Sequence, residues 1–262
     1  MDNRPIGIFD SGIGGTSIWR EIKELLPNED CIYLADSKNA PYGEQSKERI
    51  LELSIKNVEH LLHKECKIVV VACNTATTNA IAYLRNHYSV PFIGIEPAIK
   101  PAALRSKSKI VGVLATKGTL SSSLFHSTSK NHAEGITILE QQGTGLVELI
   151  EAGKLQSAEL YNLLEQYLSP MLKKGIDHLV LGCTHYPYLI PILRKILPDH
   201  VTIIDSGQAV ARQTKNILDE LDLRAHSHKK GTHQFYTNVD QKVLSTILTP
   251  LNVEASVSFL DF

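Results

Sequence analysis

Two cysteines stand where thiol chemistry would be most useful. Cys73 ends the apolar run in "VVVACNTATT", and Cys183 ends a similar run in "LVLGCTHYP". A thiol can give a proton and, as thiolate, take one. Cys73 is followed by Asn74, Thr75, Thr77 and Thr78, residues that cap a helix and donate hydrogen bonds to an anion. A helix N-terminus beside Cys73 is expected to lower its pKa from the free value near 8.5. His185 lies two residues beyond Cys183 and shares its surroundings. A buried cysteine closing a strand, followed by polar cap residues, would produce the same string. The repetition of the pattern favours function.

Other stretches compete for attention. "DSGIGGTS" places Gly12, Gly14 and Gly15 directly after a strand, as in a dinucleotide loop, and Asp36 at the next strand end imitates a ribose-binding acid. Against that reading, Ser17 replaces the third fingerprint glycine, and the Asp10 carboxylate would repel a pyrophosphate. Asp10 suits holding an amine or handling a proton; a turn carboxylate bonding local amides is the plainer role. "APYGEQS" presents backbone groups and the Tyr42 phenol from a turn. "HSHKKGTH", His226 to His233, lies in a polar stretch without a carboxylate pair and reads as a solvated loop. Cys31 and Cys66 sit at strand beginnings and read as structural. A zinc site built from Cys73, Cys183, His185 and Asp10 is a different-class alternative, although the ligands lack the short spacing of structural zinc sites. A two-domain amino-acid binding protein, its thiols merely lining the cleft, is another.

The elements that must carry these residues are legible as alternating strands and helices over 262 residues. "RPIGIFD", "CIYLAD", "KIVVVAC" and "VPFIGIE" are β-rich and are separated by helical patterns; "SKIVGVLAT", "GITILEQQ", "DHLVLGC" and "VTIIDSG" restart the series. This predicts an α/β fold with two pseudo-symmetric domains, mainly parallel central sheets and the active site in the cleft between them. The last segment, from "GQAVARQTKNILDEL" to the end, has no obvious α/β unit of its own. Two echoes suggest duplication: "KIVVVACNTATT" with "DHLVLGCTHYPY", and "GIFDSG" with "TIIDSG". Ligands of open α/β sheets bind at the carboxyl ends of strands, so facing domains would aim both thiols into one crevice. A net charge of −1, with 21% charged and 43% hydrophobic residues, gives no basic excess to recruit nucleic acid or a membrane surface. The start of the chain has no signal-type apolar region, and no run is long enough to span a bilayer. A cytoplasmic protein with a small-molecule substrate is expected.

In order, "FDSGIGG", "ADSKNAPYG", "ACNTATT", "GCTHYP" and "IDSG" resemble the glutamate racemases of the aspartate/glutamate racemase superfamily, from about Gly7 to Gln208 and more weakly through "HQFYTNVD". The resemblance implies a division into 1–98 plus 207–262, completed by the C-terminal segment, and 99–206, in a homodimeric, cofactor-independent and metal-free isomerase that racemises glutamate and supplies D-glutamate for peptidoglycan. It implies that Cys73 and Cys183 are the acid/base pair, with Cys183 the thiolate toward L-glutamate and Cys73 the thiol donor. Asp10 would assist Cys73 and His185 would assist Cys183. Asp10, Ser11, Tyr42, Gly43, Asn74, Thr75, Thr184 and His185 would line the substrate site, with Glu151 an acid beside it. Within the family an aspartate racemase is the alternative reading, set apart by pocket length and by contacts to the side-chain carboxylate.

Overall fold

The computed structural model describes residues 2–132, 135–225, 229–249 and 255–262. In chain order, the first half runs β1 (Ile6–Asp10), α1 (Thr16–Leu25), β2 (Cys31–Ala35), α2 (Lys47–His63), β3 (Ile68–Val71), α3 (Asn74–His87), β4 (Phe92–Gly94) and α4 (Ile99–Arg105). It continues with β5 (Ile110–Ala115), α5 (Lys117–Leu120), α6 (Ser123–His132), β6 (Thr137–Gln142), α7 (Leu146–Glu151), α8 (Ala158–Lys173), β7 (His178–Gly182), α9 (Ile190–Ile196) and β8 (Thr202–Ile204). The remainder is α10 (Gly207–Glu220), β9 (His233–Thr237), α11 (Lys242–Leu248) and β10 (Ala255–Phe259).

The strands form two sheets, ordered β10-β9-β2-β1-β3-β4 and β6-β5-β7-β8, with every strand pair parallel. Their inner strands are apolar on both faces, as a helix-covered parallel sheet requires. Ile68 and Val70 of β3 point into a core shared with α1, α7, α8 and α10, while Val69 and Val71 point into a second core under α2 and α3. In the second sheet, Leu179 and Leu181 join the shared core and Val180 faces a smaller one with Phe125. The two sheets therefore enclose one continuous apolar centre.

Sheet order gives the internal repeat a physical form. β2-β1-β3-β4 and β6-β5-β7-β8 have the same arrangement, so β3 corresponds to β7 and the two thiol strands are equivalents. Each order reverses between β1 and β3, or between β5 and β7, and both cysteines follow strands that flank this switch point, where crevices open. The second echo does not follow this symmetry. "GIFDSG" is β1, whereas "TIIDSG" is β8, the counterpart of β4. The strings agree because both end a strand and prepare a helix: Asp205 Oδ1 accepts from Gly207 N at 2.8 Å, at the start of α10.

The C-terminal segment, which the sequence left without an α/β unit, supplies two strands. β9 pairs with β2, and β10 with β9. Of the histidine-rich stretch, His226, Ser227 and His228 lie outside the described residues, but His233 is not a solvated loop residue. It begins β9, buried, and accepts from Trp19 Nε1 at 3.3 Å. Burial, reinforced by Lys23, lowers its pKa to about 4. The unfolded chain takes up this proton below about pH 6.5 while the folded chain does not, so stability falls as pH drops from 6.5 toward 4. His233→Gln is expected to remove about 2 kcal/mol of the stability difference between pH 7.5 and 5. Denaturant unfolding at the two pH values measures it; a parental pH dependence in the variant would contradict the assignment.

Candidate active site

The carboxyl ends of β1 and β3 face those of β5 and β7 across a narrow cavity. Its walls include Ser11, Cys73, Asn74 and Thr75 from one half and Cys183, Thr184 and His185 from the other; Tyr42 and Gly43 close one side. Asp10 and Glu151 stand behind the walls, each bonded to residues that shape them. All the residues singled out for the site converge here.

Cys73 is the N-cap of α3: its Sγ accepts from Ala76 N at 3.4 Å. The β3 run stops here because the next residue begins α3. Toward the cavity, Cys73 Sγ donates to Ser11 Oγ at 3.7 Å. The helix terminus was expected to lower its pKa, but the net direction is upward. Burial dominates and the nearby Asp10 carboxylate adds to it, outweighing the Ala76 N–H and Ser11 contacts. Cys73 rests as a thiol. Asp10 is itself raised by burial, against the opposing pull of His185. Its Oδ2 accepts from Gly12 N at 3.2 Å and Gly15 N at 3.0 Å, the turn role, and its Oδ1 accepts from Thr184 Oγ1 at 3.1 Å across the cleft. Asp10 thus acts on Cys73 through its field, with Ser11 making the direct contact.

The opposite wall is built differently. Cys183 Sγ lies 3.7 Å from His185 Nδ1, and His185 Nε2 lies 2.5 Å from Glu151 Oε1. Burial opposes the imidazolium, yet the hydrogen bonds to Cys183 and Glu151 more than offset it and raise the His185 pKa well above 6.5. A cation is therefore poised beside this sulfur, in the orienting-acid, imidazole, nucleophile order that activates thiols elsewhere. Glu151 is also fixed from the other half: Ile13 N donates to Oε1 at 2.7 Å and Ser37 Oγ to Oε2 at 2.8 Å. The sequence placed Glu151 beside the site; its position is behind His185, at the end of α7. Thr184 and His185 precede a 3₁₀ turn, Tyr186–Leu189, and α9 begins only at Ile190. Among the described residues, no group of three or more His, Cys, Asp or Glu side chains is arranged to hold a metal ion.

The glycines of "DSGIGGTS" serve this relay. A Cβ on Gly12 would fall 1.9 Å from Glu151 Oε1, and one on Gly14 would fall 2.4 Å from His185 Nδ1. The loop lacks side chains so that the acid and imidazole of the other half can approach. Asp36, the imitation ribose acid, is occupied: it accepts from Asn39 Nδ2 at 2.7 Å, from Tyr42 Oη at 2.5 Å and from Asn238 Nδ2 at 2.5 Å. The Tyr42 phenol, read from sequence as presented to a ligand, is therefore turned away, and it also accepts from Asn57 Nδ2 at 3.0 Å.

Asn74 differs from its neighbours. Its side chain is 3% exposed, and neither its Nδ2 nor its Oδ1 has a hydrogen-bond partner. A buried amide in that condition is costly unless a ligand satisfies it. Thr75 Oγ1 reaches Thr116 Oγ1 at 2.9 Å, and Thr116 reaches Thr119 at 3.0 Å. Thr116 and Thr119 were not singled out from sequence. The available signal was "LATKGT", a strand end followed by polar cap residues, as at Cys73.

Comparison with known proteins agrees with this architecture. Residues 6–214 match the family model described as Asp/Glu/Hydantoin racemase. A glutamate racemase of Ectopseudomonas mendocina (strain ymp) is 46% identical over 254 residues, covering 97% of each chain. The crystal structure of Escherichia coli glutamate racemase with L-glutamate and the activator UDP-MurNAc-ala superposes with a TM-score of 0.87 at 34% identity, over 98% of each chain. That of glutamate racemase from Francisella tularensis subsp. tularensis SCHU S4 with D-glutamate gives 0.84 at 29% identity, over 100% of this chain and 98% of the other. With the paired strand ends, the family match and a 46% identical relative in agreement, the chain belongs to the Asp/Glu/hydantoin racemase family, among its glutamate racemases, and is an isomerase.

Proposed function

We propose that this chain interconverts L- and D-glutamate by a cofactor-independent two-base proton transfer, Cys183 and Cys73 serving opposite faces of the α-carbon. The observation that carries the reading is the unlike pair of thiols on one cavity: Cys183 beside a His185–Glu151 relay, and Cys73 buried and protonated beside Asp10. Toward L-glutamate, Cys183 as thiolate takes the α-proton and Cys73 delivers its own proton to the other face. The roles then exchange for D-glutamate. The electron pair left on the α-carbon passes into the α-carboxylate, where amide and hydroxyl donors of Ser11, Asn74, Thr75 and Thr184 stabilise it. The unpartnered Asn74 amide supports a carboxylate ligand, and the named ligands of the E. coli and F. tularensis relatives support glutamate.

The same reading divides the chain into one domain of 1–98 with 207–262 and a second of 99–206. Pairing of β9 with β2 supports it. D-glutamate made in this way suits the supply of peptidoglycan precursors. No helix among the described residues is long and apolar enough to cross a membrane, which agrees with a cytoplasmic role. Incubation with L-glutamate or L-aspartate in heavy water, without added cofactor, tests the proposal. Loss of optical rotation with α-deuteration of glutamate is the expected result. Binding without deuteration, or turnover of aspartate alone, would overturn it.

A further inference from the structure

We infer that Asn238, from the C-terminal segment, is a positioning residue for the substrate cavity, acting through Asp36 and Tyr42. The inference rests on the proposed racemisation. β9 runs parallel to β2 with Thr237 opposite Ala35, so the next residue of each strand, Asn238 and Asp36, emerge side by side at the carboxyl end of the first sheet. Both are buried, 5% and 1% exposed. Asn238 Nδ2 donates to Asp36 Oδ1 at 2.5 Å and its Oδ1 accepts from Lys38 N at 2.9 Å. The amide is thus fixed at both ends, and its orientation follows from its partners.

Asp36 is buried with no ion-pair partner among the described residues, and its oxygens are met by dipolar donors instead. Asn238 and Asn39 supply two on Oδ1, leaving Oδ2 for the Tyr42 phenol. With Asn57 holding the phenol from the other side, the ring has one place to sit. Its backbone, with Pro41 and Gly43, is then pressed against the cavity. Gly43 is in turn packed against the opposite half: a Cβ there would lie 2.9 Å from Thr116 Cβ. The chain Asn238–Asp36–Tyr42–Gly43 therefore sets the distance between the two walls on this side. It gives the C-terminal strands a role in the site that neither sheet alone explains.

Steady-state kinetics of Asn238→Ala, Asn238→Asp and Tyr42→Phe test this. Asn238→Asp keeps the volume and the acceptor for Lys38 N but sets a second carboxylate against Asp36. Asn238→Ala and Tyr42→Phe are each expected to raise the glutamate KM about tenfold while kcat stays within about threefold. Asn238→Asp is expected to raise KM further at pH 8. The double variant Asn238→Ala/Tyr42→Phe is expected to match the worse single variant, since both break one chain of contacts. Folded Asn238→Asp with the parental KM, or fully additive effects in the double variant, would overturn the inference. A parental enzyme that does not exchange the α-proton of glutamate would instead overturn the proposed reaction.

Discussion

Cys73→Ala and Cys183→Ala are each expected to lose racemisation by roughly 10³-fold or more while retaining α-proton exchange with one enantiomer only. With Cys73 removed, Cys183 can still take the proton of L-glutamate and return it to the same face, so L-glutamate becomes α-deuterated in heavy water without inversion. With Cys183 removed, the surviving exchange is with D-glutamate. The two variants should also differ in their dependence on pH. Burial and Asp10 hold the Cys73 thiol pKa up, so exchange by Cys183→Ala, which needs the Cys73 thiolate, should climb steadily into alkaline solution. Exchange by Cys73→Ala runs instead through the Cys183–His185 pair, 3.7 Å apart, so the Cys73 thiol plays no part in its pH dependence. Proton NMR of the α-position with each enantiomer reads both effects. Full racemisation by either variant would sink the two-base scheme.

How far the sequence revealed this site depends on the kind of interaction. Cys73 and Cys183 were legible because each ends an apolar run, and the run is the strand that places it. Parallel pairing and the two-sheet division were legible for the same reason. The direction of the Cys73 pKa was not, since it turns on complete burial and on Asp10, which arrives from β1. The glycines of "DSGIGGTS" were visible but their purpose was not. They make room for Glu151 and His185, which are far away in sequence. Local patterning shows that a backbone must be approached closely; it does not show by what. His233 was misread because a short polar stretch hides a strand whose buried partners, Trp19 and β2, lie at the other end of the chain. Thr116 and Thr119 lacked a chemically distinctive side chain, and only the strand order, in which β5 is the counterpart of β1, places them at the equivalent of the "DSGIGG" turn.

Glu151→Gln separates proton handling from simple clamping. The amide keeps an acceptor for Ile13 N or Ser37 Oγ and occupies the same space, but it removes the charge that helps raise the His185 pKa. The sign follows directly. A raised pKa keeps the imidazolium present to higher pH; without the carboxylate, His185 loses its proton earlier, and the form with a thiolate at Cys183 and a cation beside it is lost earlier as well. Two changes are expected: kcat/KM lower by about 10²-fold, and its alkaline limb displaced to lower pH. The decrease must be equal in both directions, because two enantiomers have an equilibrium constant of one and share every barrier. Ser37→Ala is the control. It removes the Ser37 contact to Glu151 Oε2 but leaves the charge at His185, so its alkaline limb should stay in place. A Glu151→Gln protein that is folded and keeps the parental limb would reduce Glu151 to a clamp between the halves. Equal displacement in both variants would assign the effect to closure of the cleft rather than to the relay, because only closure is common to the two substitutions.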